Sequence, residues 1–131
     1  MKIVAAVIGF GIGKKHVDAI DSHKYSKVKT ICEKNKQKVL QLKKKYRSKI
    51  IVTNEDKMFK DKSINLVSIA SYDEYHYNQI LKCIKYNKHI IVEKPMCLNE
   101  KQLIDIKKKL KKKKKIKIFS NLVLRVNDLF K

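Results

Sequence analysis

The chain begins with K-I-V-A-A-V-I at residues 2–8, followed by G-F-G-I-G at residues 9–13 and K-K-H-V-D-A-I-D-S at residues 14–22. The first run is short, apolar and rich in β-branched residues, which predicts a buried strand. The residues after the glycines have the mixed polar and apolar spacing of a short helix. We therefore expect a strand, a glycine-rich turn and a helix in that order.

This turn contains every glycine of the chain: Gly9, Gly11 and Gly13, with Phe10 and Ile12 between them. A strand, a glycine turn and a helix can bind a dinucleotide pyrophosphate, because glycines let the backbone approach the phosphates and the helix N–H groups point at them. Lys14 and Lys15 would oppose the helix dipole but complement a bound pyrophosphate. The spacing is one residue tighter than G-x-G-x-x-G, so a purely structural turn remains the alternative.

Short apolar runs alternate with helical patterns along the rest of the chain, which is typical of a parallel sheet covered by helices on both faces. Asn87 suits a left-handed helix end and Asn99 suits a helix N-cap. The predicted fold class is α/β, with a Rossmann-like, doubly wound, mainly parallel sheet. The predicted strands are 2–8, 27–32, 49–53, 64–70, 89–92 and 116–119, and the predicted helices are 14–22, 35–46, 55–59, 75–86 and 100–115.

Length and composition fit one folded domain, since the chain has 131 residues and is 44% hydrophobic. No apolar run approaches the roughly 20 residues that span a bilayer, and the opening run is too short for a secretory signal. We therefore expect a cytoplasmic protein without a membrane partner. Cys32, Cys83 and Cys97 are far apart and form no C-x-x-C, so we expect neither disulfides nor a metal site.

The formal net charge of +21 raises the question of nucleic-acid binding. Arg47 and Arg125 are the only arginines, whereas groove and phosphate recognition relies heavily on arginine. The densest lysine run, residues 107–115, fits the solvated side of a helix whose Ile106 and Leu110 face inward. We favour the solvated helix, and nucleic-acid binding is the weaker alternative.

Glu33 lies at the end of the second predicted strand, where an acidic side chain can accept hydrogen bonds from the adenosine ribose. The same carboxylate would repel a 2′-phosphate, which favours NAD over NADP. Lys34 and Lys36 could each reach a phosphate, so NADP remains possible. Without the glycine turn, an exposed surface acid would be the better interpretation of Glu33.

The sequence E-K-P at residues 93–95 stands at the carboxyl end of a predicted parallel strand, where ligands bind in open α/β sheets. A lysine there, partly removed from water, can hydrogen-bond a substrate hydroxyl and help remove its proton as hydride leaves. Lys94 is therefore the candidate catalytic residue. The alternative is one more surface lysine among many.

These stretches resemble the Gfo/Idh/MocA oxidoreductases, a family that includes glucose-fructose oxidoreductase and inositol dehydrogenase. Residues 7–16, V-I-G-F-G-I-G-K-K-H, are similar to the family's glycine turn and following histidine. The resemblance continues through residues 71–76 and then residues 86–95, which end in the family's E-K-P motif. Arg125 resembles an arginine just beyond the family's sixth strand. The resemblance covers almost the whole chain.

The resemblance implies a dinucleotide-binding domain over residues 1–120, a nicotinamide cofactor, and Lys94 near the hydride-transfer centre. It also implies that Glu33 holds the ribose. His76 matches a position near the cofactor in the family, and packing in the first turn of its helix is an equal alternative. His16 is expected to be structural. The remaining residues expected at the cofactor are Ser71, Glu93 and Pro95.

Two departures from the family pattern bear on function. The glycine turn is shortened, and Ser71-Tyr72 stands where many members have Thr-Pro, so both departures fall in segments that are expected to contact the cofactor. The family's second domain, with a D-x-x-x-H pair and most of the substrate pocket, would begin about where residues 121–131 lie. Aspartate precedes none of the four histidines by four positions.

We therefore expect an NAD(P)-binding domain of an oxidoreductase that acts on a sugar, sugar derivative or cyclitol. It would be inactive alone, with residues 121–131 beginning the connection to a missing domain, and it could form a homo-oligomer. The alternative is a non-catalytic nucleotide-binding or interaction module.

Overall fold

Strands and helices alternate along the residues that the computed structural model describes, 2–122. Residues 123–131, including Arg125 and most of the expected connection, lie outside the described residues. The strands are β1 (Ile3–Ile8), β2 (Ser26–Cys32), β3 (Ile50–Val52), β4 (Leu66–Ile69), β5 (His89–Glu93) and β6 (Ile118–Asn121). The helices are α1 (Gly13–Ser22), α2 (Lys36–Lys45), α3 (Glu55–Lys60), α4 (Asp73–Lys85) and α5 (Glu100–Lys111).

The six strands form one parallel sheet in the order β3-β2-β1-β4-β5-β6. The chain winds outward from β1 to β3 and then returns to place β4 against the other side of β1. Ligands in such sheets bind outside the carboxyl ends of the strands, where the winding direction reverses. This topology confirms the predicted Rossmann-like fold and places that crevice between β1 and β4.

Alternate residues of β1 pack into cores on opposite faces of the sheet. Ala6 and Ile8 belong to a core with Phe59 of α3, Ile80 of α4 and Ile106 of α5. On the other face, β1 supplies Ala5 and Val7 to a core with Val17 of α1 and Leu42 of α2. Because successive strand side chains point to opposite faces, this division puts α1 and α2 on one face and α3, α4 and α5 on the other.

The predicted caps are confirmed, and two predicted bounds near residue 116 are wrong. Asn87 has a φ of 55°, and the Asn99 side chain accepts the N–H of Gln102 at 3.0 Å. Helix α5 ends at Lys111 rather than residue 115, and β6 begins at Ile118 rather than residue 116. Backbone hydrogen bonds within residues 109–116 turn the chain there, and packed lysines one helical turn apart disfavour a longer helix.

No helix within residues 2–122 has both the length and the apolar character needed to cross a membrane.

Lys29 of β2 and Asp61, which follows α3, form an ion pair whose loss should weaken the fold in a pH-dependent way. The hydrogen bond from Lys29 lowers the pKa of Asp61 from 3.8 to about 2, with further bonds from Ser63. This stabilisation is complete above the unfolded pKa of 3.8 and is lost as the pH falls towards the folded value of about 2. Replacing Lys29 by Met should lower the free energy of unfolding at neutral pH by about 1 kcal/mol.

Urea unfolding at pH 7, 4 and 2.5 would measure this effect, with Lys27→Met, an exposed site on the same strand, as the control. The Lys29→Met difference should shrink between pH 4 and pH 2.5. An equal difference at all three pH values would contradict the assignment.

Candidate functional site

The glycine turn is pinned between the carboxyl ends of two strands. Gly9 has a φ of 84°, and its N–H donates to the carbonyl oxygen of Cys32 at 2.9 Å. A Cβ at this position would lie 2.5 Å from the carbonyl oxygen of Ala70. Gly9 therefore meets two requirements that other residues fail, a left-handed backbone and close contact with the chain that leaves β4.

The other two glycines serve different purposes. A Cβ on Gly13 would lie 3.1 Å from Val7 Cγ1 and 3.4 Å from Ala70 Cβ, so its absence lets α1 approach β1 and β4 closely. A Cβ on Gly11 would meet nothing within 4 Å, so the backbone there borders open space. Despite the shortened spacing, the turn thus retains a tight bend, an accessible backbone and close packing of helix on strand, as a pyrophosphate requires.

The N-terminus of α1 is suited to an anion. The Asn35, Asn54 and Asn99 side chains cap α2, α3 and α5, and α4 has acidic residues in its first turn. Of the helices in the described part of the chain, only α1 lacks both a side-chain cap and a first-turn acid. The N–H groups of Lys14 and Lys15 donate to the carbonyl oxygens of Gly11 and Ile12, but no side chain caps this end of the helix. The positive dipole end therefore adjoins the glycine turn without an acidic neighbour, where it favours phosphate oxygens.

The Glu33 carboxylate connects the glycine turn to the start of α2. One oxygen accepts the N–H of Phe10 at 3.0 Å, and the other accepts the N–H of Asn35 at 2.9 Å. These bonds hold the carboxylate at the end of β2, next to the turn. Each oxygen can accept a further hydrogen bond, so the carboxylate can still receive two adjacent ribose hydroxyls.

A cavity of about 600 Å³ lies at this edge of the sheet. It brings together residues 9–12 of the glycine turn with Glu33, Lys34 and Ser71. Gly13, His76 and the E-K-P residues are not among those that line it. The lining residues that the sequence interpretation did not include are Ile8, Cys32, Asn35, Lys38, Ala70, Tyr72, Tyr75 and Gln79.

Two of these residues, Tyr72 and Tyr75, lie at the start of α4. The Lys34 ammonium lies 4.5 Å from the centre of the Tyr75 ring, so the segment after β2 contacts the first turn of α4 across the cavity. The Ser71 hydroxyl donates to Gln79 Oε1 at 2.6 Å. Sequence reasoning could have identified Tyr72 and Tyr75, because they come just after a central strand of the predicted sheet.

His76 lies behind the cavity and is completely buried. Its Nδ1 is 2.7 Å from the carbonyl oxygen of Pro95, and its Nε2 is 3.0 Å from that of Ser71. The ring therefore connects the segments that follow β4 and β5. This is the packed position that the sequence left open as an equal alternative to contact with cofactor.

The E-K-P motif begins at the last residue of β5, where Glu93 points into the protein and Lys94 is exposed. Glu93 Oε1 accepts hydrogen bonds from His16 Nε2 at 2.7 Å and from Asn121 Nδ2 at 2.6 Å. Burial raises the pKa of Glu93, but the bonds from Asn121 and His16 outweigh burial and leave it below the usual value. The motif therefore presents a buried, ionised carboxylate beside an exposed ammonium group.

The glycine turn and the E-K-P motif lie at the same edge of the sheet. In the strand register, Ile8 of β1 is paired with Ile69 of β4, and Ile69 is paired with Val92 of β5. The glycine turn follows β1 and the E-K-P motif ends β5, and these two strands are separated only by β4. The arrangement can hold an extended anionic ligand across the β1–β4 crevice with Lys94 towards one end.

The lysine run lies at the other end of the strands. Residues 111–115 border a second cavity of about 550 Å³ together with His89, the first residue of β5, and Ile116. Ile106 is buried and Leu110 is partly buried against the core, as expected for a helix with one solvated side. The lysine run and the glycine turn are therefore separate surfaces.

Comparison with known proteins identified one family. The model of the Gfo/Idh/MocA family, described as an oxidoreductase family with an NAD-binding Rossmann fold, matches residues 3–121. An uncharacterized oxidoreductase of Synechocystis is 27% identical over 105 residues, covering 79% of this chain and 28% of the relative. The scyllo-inositol 2-dehydrogenase (NADP(+)) of Bacillus subtilis is 25% identical over 99 residues, covering 72% of this chain and 26% of the relative.

Solved structures share the fold. Scyllo-inositol dehydrogenase from Lactobacillus casei, with bound NAD(H) and scyllo-inositol, superposes with a TM-score of 0.87 at 22% identity. This match covers 98% of the present chain and 38% of that protein. An NAD-binding protein from Listeria innocua gives a TM-score of 0.89 at 19% identity, covering 99% and 38% of the two chains. The chain thus spans about a quarter of the length of its curated relatives and under two fifths of these structures.

The roles of Gly9 and Gly11 in the glycine turn can be separated by substitution. Gly9→Ala places a Cβ against Ala70 and forces an unfavourable backbone, so it should lower the free energy of unfolding by about 3 kcal/mol or more. Gly11→Ala, whose Cβ meets open space, should change it by less than about 1 kcal/mol. Urea unfolding of the two variants measures the difference. Equal stabilities would show that the turn does not depend on Gly9.

Proposed function

Because this chain belongs to the Gfo/Idh/MocA family of oxidoreductases, whose Rossmann fold binds NAD, we propose that it supplies the cofactor-binding part of a dehydrogenase. The enzyme would transfer hydride between NAD and a secondary alcohol or ketone of a sugar, sugar derivative or cyclitol. One observation carries the proposal: the open backbone at Gly11, the uncapped start of α1 and the Glu33 carboxylate meet at one cavity.

In this proposal the glycine turn and Glu33 bind different parts of the cofactor. Residues 9–13 and the start of α1 hold the pyrophosphate, with Lys14 and Lys15 adding positive charge. Glu33 accepts hydrogen bonds from the adenosine ribose, and Ser71 lines the wall beside it. NAD, when bound, supplies the nicotinamide ring that accepts or donates the hydride.

NAD rather than NADP is the proposed cofactor because of how Glu33 is held. Two backbone N–H groups orient its carboxylate before any ligand arrives, and a fixed negative charge there repels a 2′-phosphate. Lys34 and Lys38 also line the cavity, and the Bacillus subtilis relative is an NADP(+) enzyme. Lys34, however, is already engaged with the Tyr75 ring.

Lys94 is the proposed catalytic residue. It is exposed at the carboxyl edge, directly after the strand that carries Glu93, so its side chain can reach a substrate hydroxyl. Its neutral amine would accept the hydroxyl proton during oxidation, and the resulting ammonium would return that proton during reduction. Pro95 and His76 support this segment, since the Pro95 carbonyl oxygen lies 2.7 Å from His76 Nδ1. These two residues therefore stabilise the motif from behind.

The substrate class follows the relatives, two of which are named for scyllo-inositol. These 131 residues contain Lys94, the proposed acid–base group. They contain no D-x-x-x-H sequence, so the aspartate and histidine of that motif are not among them. Orientation of substrate and a complete proton relay contribute much of an enzyme's rate. We therefore expect these residues by themselves to bind cofactor and to turn over little or no substrate, with residues 121–131 beginning the connection to a substrate domain.

Isothermal titration of the 131-residue chain with NAD and NADP tests the proposal. The chain should bind NAD saturably at or below millimolar concentration and more tightly than NADP. Glu33→Ala should weaken NAD about tenfold and narrow the preference over NADP, because a charged hydrogen-bond acceptor is lost. Glu33→Gln, which keeps one acceptor oxygen, should lose less.

Asp18→Ala, on the exposed side of α1, removes a carboxylate elsewhere on the surface and should leave both affinities unchanged. Absence of saturable NAD binding at millimolar concentration would refute the cofactor assignment. An unchanged NAD affinity in Glu33→Ala would refute the role of Glu33.

A further inference from the structure

A largely buried polar cluster, made of His16, Ser68, Glu93 and Asn121, connects helix α1 to three strands. His16 Nδ1 lies 2.6 Å from the Ser68 hydroxyl of β4, and its Nε2 lies 2.7 Å from Glu93 of β5. Asn121 of β6 donates to the same carboxylate oxygen at 2.6 Å. One imidazole ring therefore bridges the pyrophosphate helix and the strand that ends in the E-K-P motif.

The chemistry of the cluster fixes the orientation of the ring. An ionised carboxylate can only accept hydrogen bonds, so His16 Nε2 donates to Glu93. In the neutral ring, Nδ1 then accepts the Ser68 hydroxyl, and both ring nitrogens are satisfied. The His16 and Glu93 side chains are 11% and 12% exposed, so neither can replace this partner fully with water.

Removing His16 from the cluster should change the position of the Glu93 side chain. Without His16, the buried Glu93 carboxylate would keep Asn121 and lose its donor from α1, and a buried charge lacking a partner is costly. Glu93 would therefore turn towards water or towards β6. Because Lys94 is the next residue, a backbone shift that accommodates such a turn would also displace the Lys94 side chain.

The cluster lies at the nicotinamide end of the proposed cofactor site. Glu33, the proposed ribose ligand, lies after β2 on one side of the glycine turn, whereas Glu93 is the last residue of β5 on the other side. A dinucleotide that spans the β1–β4 crevice with its adenosine at Glu33 directs its other half towards β4 and β5. His16 is on the same helix as Gly13 and so relates the pyrophosphate turn to the Lys94 segment.

We propose that His16 is a positioning residue, which holds Glu93 and thereby sets the Lys94 segment against the nicotinamide half of the cofactor. This inference rests on the proposed NAD-binding function and goes beyond it. A merely structural tie would affect both halves of the cofactor equally, whereas a positioning role affects only the nicotinamide half. The two are distinguished by ligands that contain or lack the nicotinamide.

Isothermal titration of the 131-residue chain with NADH and with ADP-ribose, which lacks the nicotinamide, measures the difference. His16→Leu should weaken NADH about tenfold while ADP-ribose changes less than about twofold, because only the nicotinamide side loses its support. His16→Gln, which retains an N–H donor directed at Glu93, should keep NADH within about threefold of the original affinity. Circular dichroism establishes that each variant is folded.

Val17→Ala is the matched control, since it removes buried apolar contacts of the same helix without touching Glu93. It should lower the thermal midpoint and leave the ratio of the NADH and ADP-ribose affinities unchanged. Equal losses for both ligands in His16→Leu, no loss for either, or a selective loss that His16→Gln does not restore would each overturn the positioning role. If the unaltered chain binds neither ligand, the proposed function itself is wrong and the inference falls with it.

Discussion

The close approach of three chain segments at Gly9 is the constraint on which the rest of the site depends. The Gly9 N–H is bonded to the end of β2, and the space a Cβ would fill is occupied by the backbone that leaves β4. A larger residue would separate β1 from β4 at the point where the winding of the sheet reverses. That separation would remove the crevice, because its floor is the contact between these two strands.

Polar side chains that are partly or fully buried hold the carboxyl edge together on either side of that contact. On one side, Glu33 binds the backbone of the glycine turn and of the start of α2. On the other, His16 and Asn121 bind Glu93. Both carboxylates are fixed by donors from neighbouring elements, so the site has little reorganisation left to perform when a ligand enters.

Lysine has two roles in this strongly basic chain. Lys88 is 4% exposed, and its ammonium group donates to the carbonyl oxygens of Asp61 and Ile64, although burial lowers its pKa. Lys29 and Lys82 pair with carboxylates of α3 or the residue after it. By contrast, residues 111–115 lie at the amino ends of the strands, away from the cofactor cavity. A high net charge is therefore compatible with a nucleotide-binding site that occupies a small part of the surface.

The sequence alone determined the fold class and indicated that the candidate site lies at the carboxyl ends of the strands. Alternation of β-rich and helical segments, the glycines at residues 9–13 and E-K-P at residues 93–95 are local patterns, and local patterns carry that information. For residues 112–117 the local pattern was misleading. The lysine run continues the helical pattern, but the chain leaves the helix earlier so that β6 can pair with β5. Only the tertiary structure decided that His76 is packed behind the cavity and that His16 bonds to Glu93. Those contacts join residues far apart in the chain, and sequence spacing does not encode which of two polar side chains will meet across a sheet.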